Sequence, residues 1–307
     1  MQALRIENLK KTYPNGTVAL EGISFEVCAG DFFFFLLRKG AGKSTAIGIT
    51  ASLINKSSGK VKIFGHDIDT HKDNAKKEIG IVPQEFNFNI FEKVIDIVVN
   101  QAGFYGIPKK HACNSAEKIL KRLGLWQKRN EKSIDLSGGM KRKLMIARAL
   151  IHDPKLMILD EPTAGVDVST RREMWSYIQD LNKKGKTIIL TTHYLEEAEQ
   201  NCKNVAIINH GKIIENTTIK KLIMKLDTQV YVMDIKETKN RPQIPETEFI
   251  DESTIKVKVN KNEGLTEKIK QLSDAGIRIM SMRNSTNRLE ELFISITGTS
   301  PSELMDN

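Results

Sequence analysis

The chain has 307 residues, 40% of them hydrophobic and 28% charged, with a formal net charge of +9. That is room for one large and one small globular domain, and no apolar run approaches the roughly 20 residues that cross a bilayer. The N-terminal MQALRIENLKK lacks the apolar stretch of a signal peptide, and Cys28, Cys113 and Cys202 form no CxxC pair, so a cytosolic protein without disulfides or structural zinc is expected.

Residues 3–27 read as two strands around Pro14-Asn15-Gly16, a sequence that favours a tight turn. A third strand, Phe32–Leu37, runs into a glycine-rich turn and a helix expected over Lys43–Ile54. Val61–Phe64 and Gly80–Val82 read as further short strands. From about residue 85 to 150 the pattern turns helical, with apolar residues at helical spacing in Phe91–Val99, Asn114–Leu123 and Met140–Ile151. Strands then return at Lys155–Leu159 and Thr187–Leu190, with a helix near Arg171–Asn182 between them. Such alternation predicts an α/β fold with a mostly parallel sheet, interrupted by a helical subdomain. Beyond residue 226 the character changes again. Strands at Val230–Ile235, Thr254–Val259 and Ile277–Met282, a helix at Leu265–Asp274 and the proline-containing loop KETKNRPQIPETE predict a small α+β unit over 227–307.

Three constellations carry chemistry. The first is Gly40-Ala41-Gly42-Lys43-Ser44-Thr45 between a strand and a helix. Glycines let backbone N–H groups approach phosphate oxygens, and the helix directs its positive end at them. A lysine at that place reaches the outer phosphates, and a serine hydroxyl can bind Mg²⁺. The second is the apolar run Leu156–Leu159 ending in Asp160 and Glu161. Beside a phosphate loop, Asp160 would hold Mg²⁺ through water and Glu161 would orient and deprotonate an attacking water. The third is LSGG: Ser137 suits a helix N-cap, and Gly138 and Gly139 expose backbone donors at the start of a basic helix, a second anion site.

Over about residues 1–226 these motifs, in this order, resemble the ATP-binding subunits of ABC transporters. The resemblance implies a P-loop nucleoside triphosphatase core and ATP with Mg²⁺ as ligands. It implies a homodimer, an integral-membrane permease as partner on the cytoplasmic face, and no nucleic acid. It makes LSGG the signature motif that meets the γ-phosphate held by the opposite subunit, and it places Tyr13 on the adenine. Gln84 of IVPQE would sense Mg²⁺ and the permease, Asp167 of AGVD would follow the Asp-Glu strand, and His193 of LTTHYLEEAE would contact the γ-phosphate. Lys43, Glu161 and His193 form the expected catalytic set. The C-terminal unit and its RLEELFISITG segment are similar to subunits of the type-2 exporter branch, for which residues 85–135 would face the permease.

One departure stands out. Such loops open with glycine, but Leu37 stands there, followed by Arg38 and Lys39. A side chain at a turn that needs glycine costs roughly 1–3 kcal/mol, which taken wholly on the nucleotide-bound state weakens affinity about tenfold to a hundredfold. A tolerated loop, a subunit without turnover, and a reading-frame slip confined to FFFFLLRKG all fit this departure. A soluble ABC-type ATPase acting on nucleic acid is the further alternative that the basic charge permits.

Overall fold

The computed structural model describes residues 1–37, 42–238, 241–261 and 263–297, with backbone only for Leu37 and 295–297. Two compact units make up the chain, Met1–Thr217 and Thr218–Asn307.

The first unit opens with β1 (Gln2–Thr12) and β2 (Val18–Cys28), paired antiparallel. Residues 13–17 join them through a turn in which the Gly16 N–H donates to the Tyr13 carbonyl at 2.9 Å. Pro14 takes the first central position and Gly16 supplies φ +83°, so the loop is longer than the two-residue turn that Asn-Gly favours. Next come β3 (Phe32–Leu37) and α1 (Lys43–Thr50). α1 stops short of the expected Ile54. Ser52 adopts φ +55°, and the N–H groups of Leu53 and Ile54 both return to the Gly48 carbonyl, at 2.8 and 3.0 Å. Then follow β4 (Ser58–Ile63), β5 (His66–Asp67), α2 (Lys72–Lys77) and β6 (Ile79–Val82). The helical stretch holds α3 (Val94–Phe104), α4 (Lys109–Arg122) and α5 (Gly138–Leu150). The unit closes with β7 (Leu156–Asp160), α6 (Val168–Lys183), β8 (Thr187–Thr191), α7 (Leu195–Asn201), β9 (Asn204–Asn209) and β10 (Lys212–Thr218), whose last residue opens the second unit.

These strands form two sheets. An antiparallel sheet has the order β2-β1-β4-β5, and a six-stranded sheet runs β10-β9-β3-β8-β7-β6. In the larger sheet β3 pairs parallel with β8 and β9, and β7 pairs parallel with β6 and β8. A central parallel strand is covered on both faces, which is why β3 is a continuous apolar run instead of an alternating one. Phe33 and Phe35 point into the core shared with the antiparallel sheet, where Phe25 stacks on both at 5.9 and 5.2 Å. Phe32 faces the other way, 6.3 Å from Trp175 of α6. Ala46 and Ile49 of α1 are buried in the same two-sheet core. The helix following β3 is therefore fixed by packing, despite its short length.

Strand order has a direct consequence for function. β3, β8, β7 and β6 are consecutive neighbours and, where paired, parallel. The carboxyl ends of β8, β7 and β6 release Thr192-His193, Asp160-Glu161 and Pro83-Gln84 along one edge, the place where open α/β sheets bind ligands.

The second unit contains α8 (Ile219–Ile223), β11 (Thr228–Ile235), β12 (Thr247–Phe249), β13 (Thr254–Asn260), α9 (Leu265–Asp274), β14 (Ile279–Asn284) and α10 (Arg288–Thr297). Its antiparallel sheet has the order β12-β13-β11-β14, and Leu272 of α9 packs with Met233, Ile255 and Val257 in the core. The composition change near residue 226 lies C-terminal to the boundary because α8 already belongs here.

Candidate nucleotide-binding site

Gly42 is the turn residue from which α1 starts. Its φ is +97°, and a Cβ there would meet the Ala19 carbonyl oxygen at 2.5 Å and Leu20 Cδ2 at 2.8 Å. Only glycine fits. Among the described residues no side chain caps α1, an arrangement that suits a phosphate. Ser44 is exposed on this turn, Thr45 is buried, and Gly40 and Ala41 lie outside the described residues, as do Arg38 and Lys39.

Lys43 lies between the two acids. Its Nζ stands 3.2 Å from Asp160 Oδ1 and 3.2 Å from Glu161 Oε1. Burial alone would lower its pKa, but the two carboxylates outweigh burial and raise it. Asp160, the last residue of β7, also accepts a hydrogen bond from the Thr191 hydroxyl of β8. Glu161 follows in the left-handed region at φ +50°, with its N–H donating to the Thr191 carbonyl at 2.9 Å. A non-glycine residue held there costs about 1–3 kcal/mol; the backbone bond and the side-chain contacts keep it in place. His193 Nδ1 lies 3.0 Å from Glu161 Oε2. That hydrogen bond, against the opposing effect of burial and together with Lys43, holds the Glu161 carboxyl down at about 2.

Tyr13 lies beside the first turn of α1. Its hydroxyl is 3.0 Å from Thr45 Oγ1, and the Lys11 ammonium sits 5.0 Å from its ring centroid. The aromatic ring expected on adenine is thus tied to the start of α1. Gln84 is exposed just beyond β6.

The remaining candidates gather elsewhere in the unit. Ser137 caps α5, accepting the Met140 N–H at 3.3 Å. Gly138 is open to solvent, whereas a Cβ on Gly139 would stand 2.9 Å from Thr170 Cγ2 of α6. Asp167 caps α6, accepting the Thr170 N–H at 2.9 Å and the Ser169 hydroxyl at 2.6 Å. These bonds hold its carboxyl well below the usual range. The signature turn and Asp167 therefore share one contact region, built on Thr170. The structure brings Lys43, Asp160, Glu161 and His193 together, and separately joins Gly139 to the α6 start capped by Asp167.

Glu197 was not among the sequence candidates. Its buried carboxylate accepts from the Thr163 hydroxyl (2.9 and 3.0 Å), Trp175 Nε1 (3.0 Å) and the Thr192 hydroxyl (3.2 Å), with Arg171 Nε 3.8 Å away. It links the turn after Glu161, helix α6 and the residue before His193. In EEAE it reads as one acid of an exposed helix face; only the apolar residue at Ala198 and the preceding Thr-Thr hinted otherwise.

Among the described residues no group of three or more His, Cys, Asp or Glu residues is able to hold a metal. Mg²⁺ needs fewer protein ligands when it arrives with phosphates, since it keeps waters and takes one or two carboxylates. Asp160 and the exposed Ser44 hydroxyl fit that role.

The family described as ABC transporter matches residues 20–164. The chain is 32% identical to the linearmycin resistance ATP-binding protein of Bacillus subtilis, over 96% of this chain and 98% of that one. It is 31% identical to the Nod factor export ATP-binding protein I of Burkholderia thailandensis, over 95% and 96%. Among solved structures, a Clostridium perfringens subunit of an ABC transporter complex superposes with a TM-score of 0.65 at 30% identity, covering 73% of this chain and 91% of that one. A dimeric ATP-binding cassette with ADP and phosphate superposes at 0.64 and 26% identity, covering 70% and 98%. Similarity over nearly the whole length, joined to this constellation of lysine, acids and signature turn, places the chain in the family of ABC transporter ATP-binding subunits.

Proposed function

We propose that the chain hydrolyses ATP as a two-fold dimer and thereby drives export of a substrate through a separate integral-membrane permease, from its cytoplasmic face. The observation that carries this reading is the Lys43–Glu161–His193 contact, an acid at the end of β7 held within 3.0–3.2 Å by two basic groups. The names of the relatives, which concern resistance and Nod factor export, support the direction of transport. No helix among the described residues is long and apolar enough to cross a membrane, so the substrate path belongs to the partner.

In this mechanism the Gly42 turn and the α1 N-terminus hold the phosphates, and Lys43 exchanges its two carboxylates for phosphate oxygens. Glu161, released from that pairing, orients the attacking water and accepts its proton. The water oxygen bonds to the γ-phosphorus as the bond to ADP breaks, giving ADP and phosphate. Ser44, Gln84 and Asp160 would hold Mg²⁺, which would supply neutralising charge. His193 faces the γ-phosphate, Tyr13 the adenine, and Ser137, Gly138, Gly139 and Asp167 act on the nucleotide of the opposite subunit.

Glu161→Gln traps such a dimer by removing the base and leaving the phosphate contacts. Sedimentation of that variant with Mg·ATP should give a dimer that Ser137→Arg abolishes. A monomer at saturating ATP would overturn the sandwich.

A further inference from the structure

Segment 83–92, which carries Gln84, is irregular and largely exposed. A loop of that kind ordinarily has a broad choice of positions. Two arginines of the signature helix restrict this one. Arg142, only 7% exposed, donates from a terminal guanidinium nitrogen to the Pro83 carbonyl at 3.2 Å, with its guanidinium 4.9 Å from the centre of the Phe86 ring. Arg148 donates to the Asn87 carbonyl at 2.9 Å and to the Asn87 side-chain oxygen. Beyond Asn87 the chain is tied by ordinary loop contacts: the Ser133 hydroxyl donates to the Ile90 carbonyl at 3.0 Å, and the Ile134 N–H donates to the same oxygen at 2.8 Å. Residues on both sides of Gln84 are thus gripped by α5, the helix whose first turn is Gly138-Gly139.

The grip is costly, which argues against an incidental contact. Burial lowers the pKa of both guanidinium groups; Asp160 and Glu161 oppose it at Arg142, and Tyr105 opposes it at Arg148. Arg142 Nε is buried with no hydrogen-bond partner among the described residues. Methionine would fill that space without this desolvation cost. Lysine could reach one carbonyl but lacks the planar fork and the stacking face.

We propose that Arg142 and Arg148 are positioning residues that clamp segment 83–87 onto the signature helix, so that Gln84 and the Ser137–Gly139 turn move as one body. Any displacement of the α5 N-terminus on closing around nucleotide is then transmitted to Gln84, and the reverse. The link to turnover rests on the ATPase reading; the clamp itself does not.

The test compares Arg142→Met, Arg142→Lys, Arg148→Met and Phe86→Leu with the unmodified protein, by hydrogen exchange without nucleotide and by ATP turnover. Loss of one hydrogen bond to a charged group should speed exchange of amides 84–88 by about tenfold or more, with β3 and β7 amides unchanged. Turnover should fall with KM for ATP held within about twofold, the pattern of a group that acts after binding. Arg142→Lys should recover part of both effects. Unchanged exchange over 84–88 in both Met variants overturns the clamp, and so does a uniform rise across the unit. Should the Met variants fail to fold, Arg142→Lys and Phe86→Leu decide by the same exchange. If the unmodified protein shows no turnover, the ATPase reading fails, while exchange still judges the clamp.

Discussion

Replacing Glu197 tests whether one buried carboxylate holds together the loops that frame the site. Three donors converge on it, the hydroxyls of Thr163 and Thr192 and the indole N–H of Trp175, all within 3.2 Å. Glu197→Gln keeps the shape but turns one acceptor into a donor. One of the three then faces an N–H, and a buried donor left unsatisfied costs about 1–3 kcal/mol. Glu197→Ala removes the acceptor for all three and leaves Arg171 without its carboxylate, a loss of about 3–5 kcal/mol. For a unit of this size each kcal/mol lowers Tm by about 2–4 °C, so the Gln variant should melt roughly 2–12 °C lower and the Ala variant lower still. Thermal unfolding with Trp fluorescence is the assay, since Trp175 is itself a partner. Turnover should fall too, because Thr192 directly precedes His193. A Gln variant with unchanged Tm and rate would refute the argument that this network positions the site.

Two further substitutions follow from the glycine turn. Gly42→Ala places a Cβ 2.5 Å from the Ala19 carbonyl oxygen. Backbone strain and overpacking together cost about 2–6 kcal/mol, so Mg·ATP binding by calorimetry should fall at least about tenfold or the protein should melt markedly lower; no change in either would contradict the structure here. Leu37→Gly, compared in a Glu161→Gln background, should bind Mg·ATP at least as tightly as the chain with Leu37, with a gain of up to about a hundredfold if leucine strains the bound loop. Weaker binding by the glycine variant would sink the view that leucine is the departure.

Much of this architecture was legible because the relevant signals are local. The FFFFLL run, Gly42 and the LMILD run each carry strand or loop chemistry within a few residues, and the structure places them as β3, the α1 start and β7. Ser137 as an N-cap was readable for the same reason. The end of α1 was missed because nothing in ITASLIN breaks a helix; the stop comes from Gly48 accepting two N–H groups in the folded turn. β9 was passed over although VAII is a short apolar run: its identity as a strand depends on pairing with β3, far away in sequence. Glu197 was unreadable for a related reason, since its three donors come from Thr163, Trp175 and Thr192 on different elements. Asp167 shows the converse. The family resemblance suggests a nucleotide role, whereas the residue type by itself allows a helix cap, and the structure shows Asp167 capping α6.

The most direct test of the central claim is steady-state hydrolysis of Mg·ATP by the purified chain beside Glu161→Gln, with nucleotide binding measured for both. The account predicts turnover by the unmodified chain, its loss by at least about a hundredfold in the variant, and binding by both. Equal turnover in the two proteins would remove Glu161 from the chemistry, and binding without turnover in the unmodified chain would make it a nucleotide-binding subunit and not a motor.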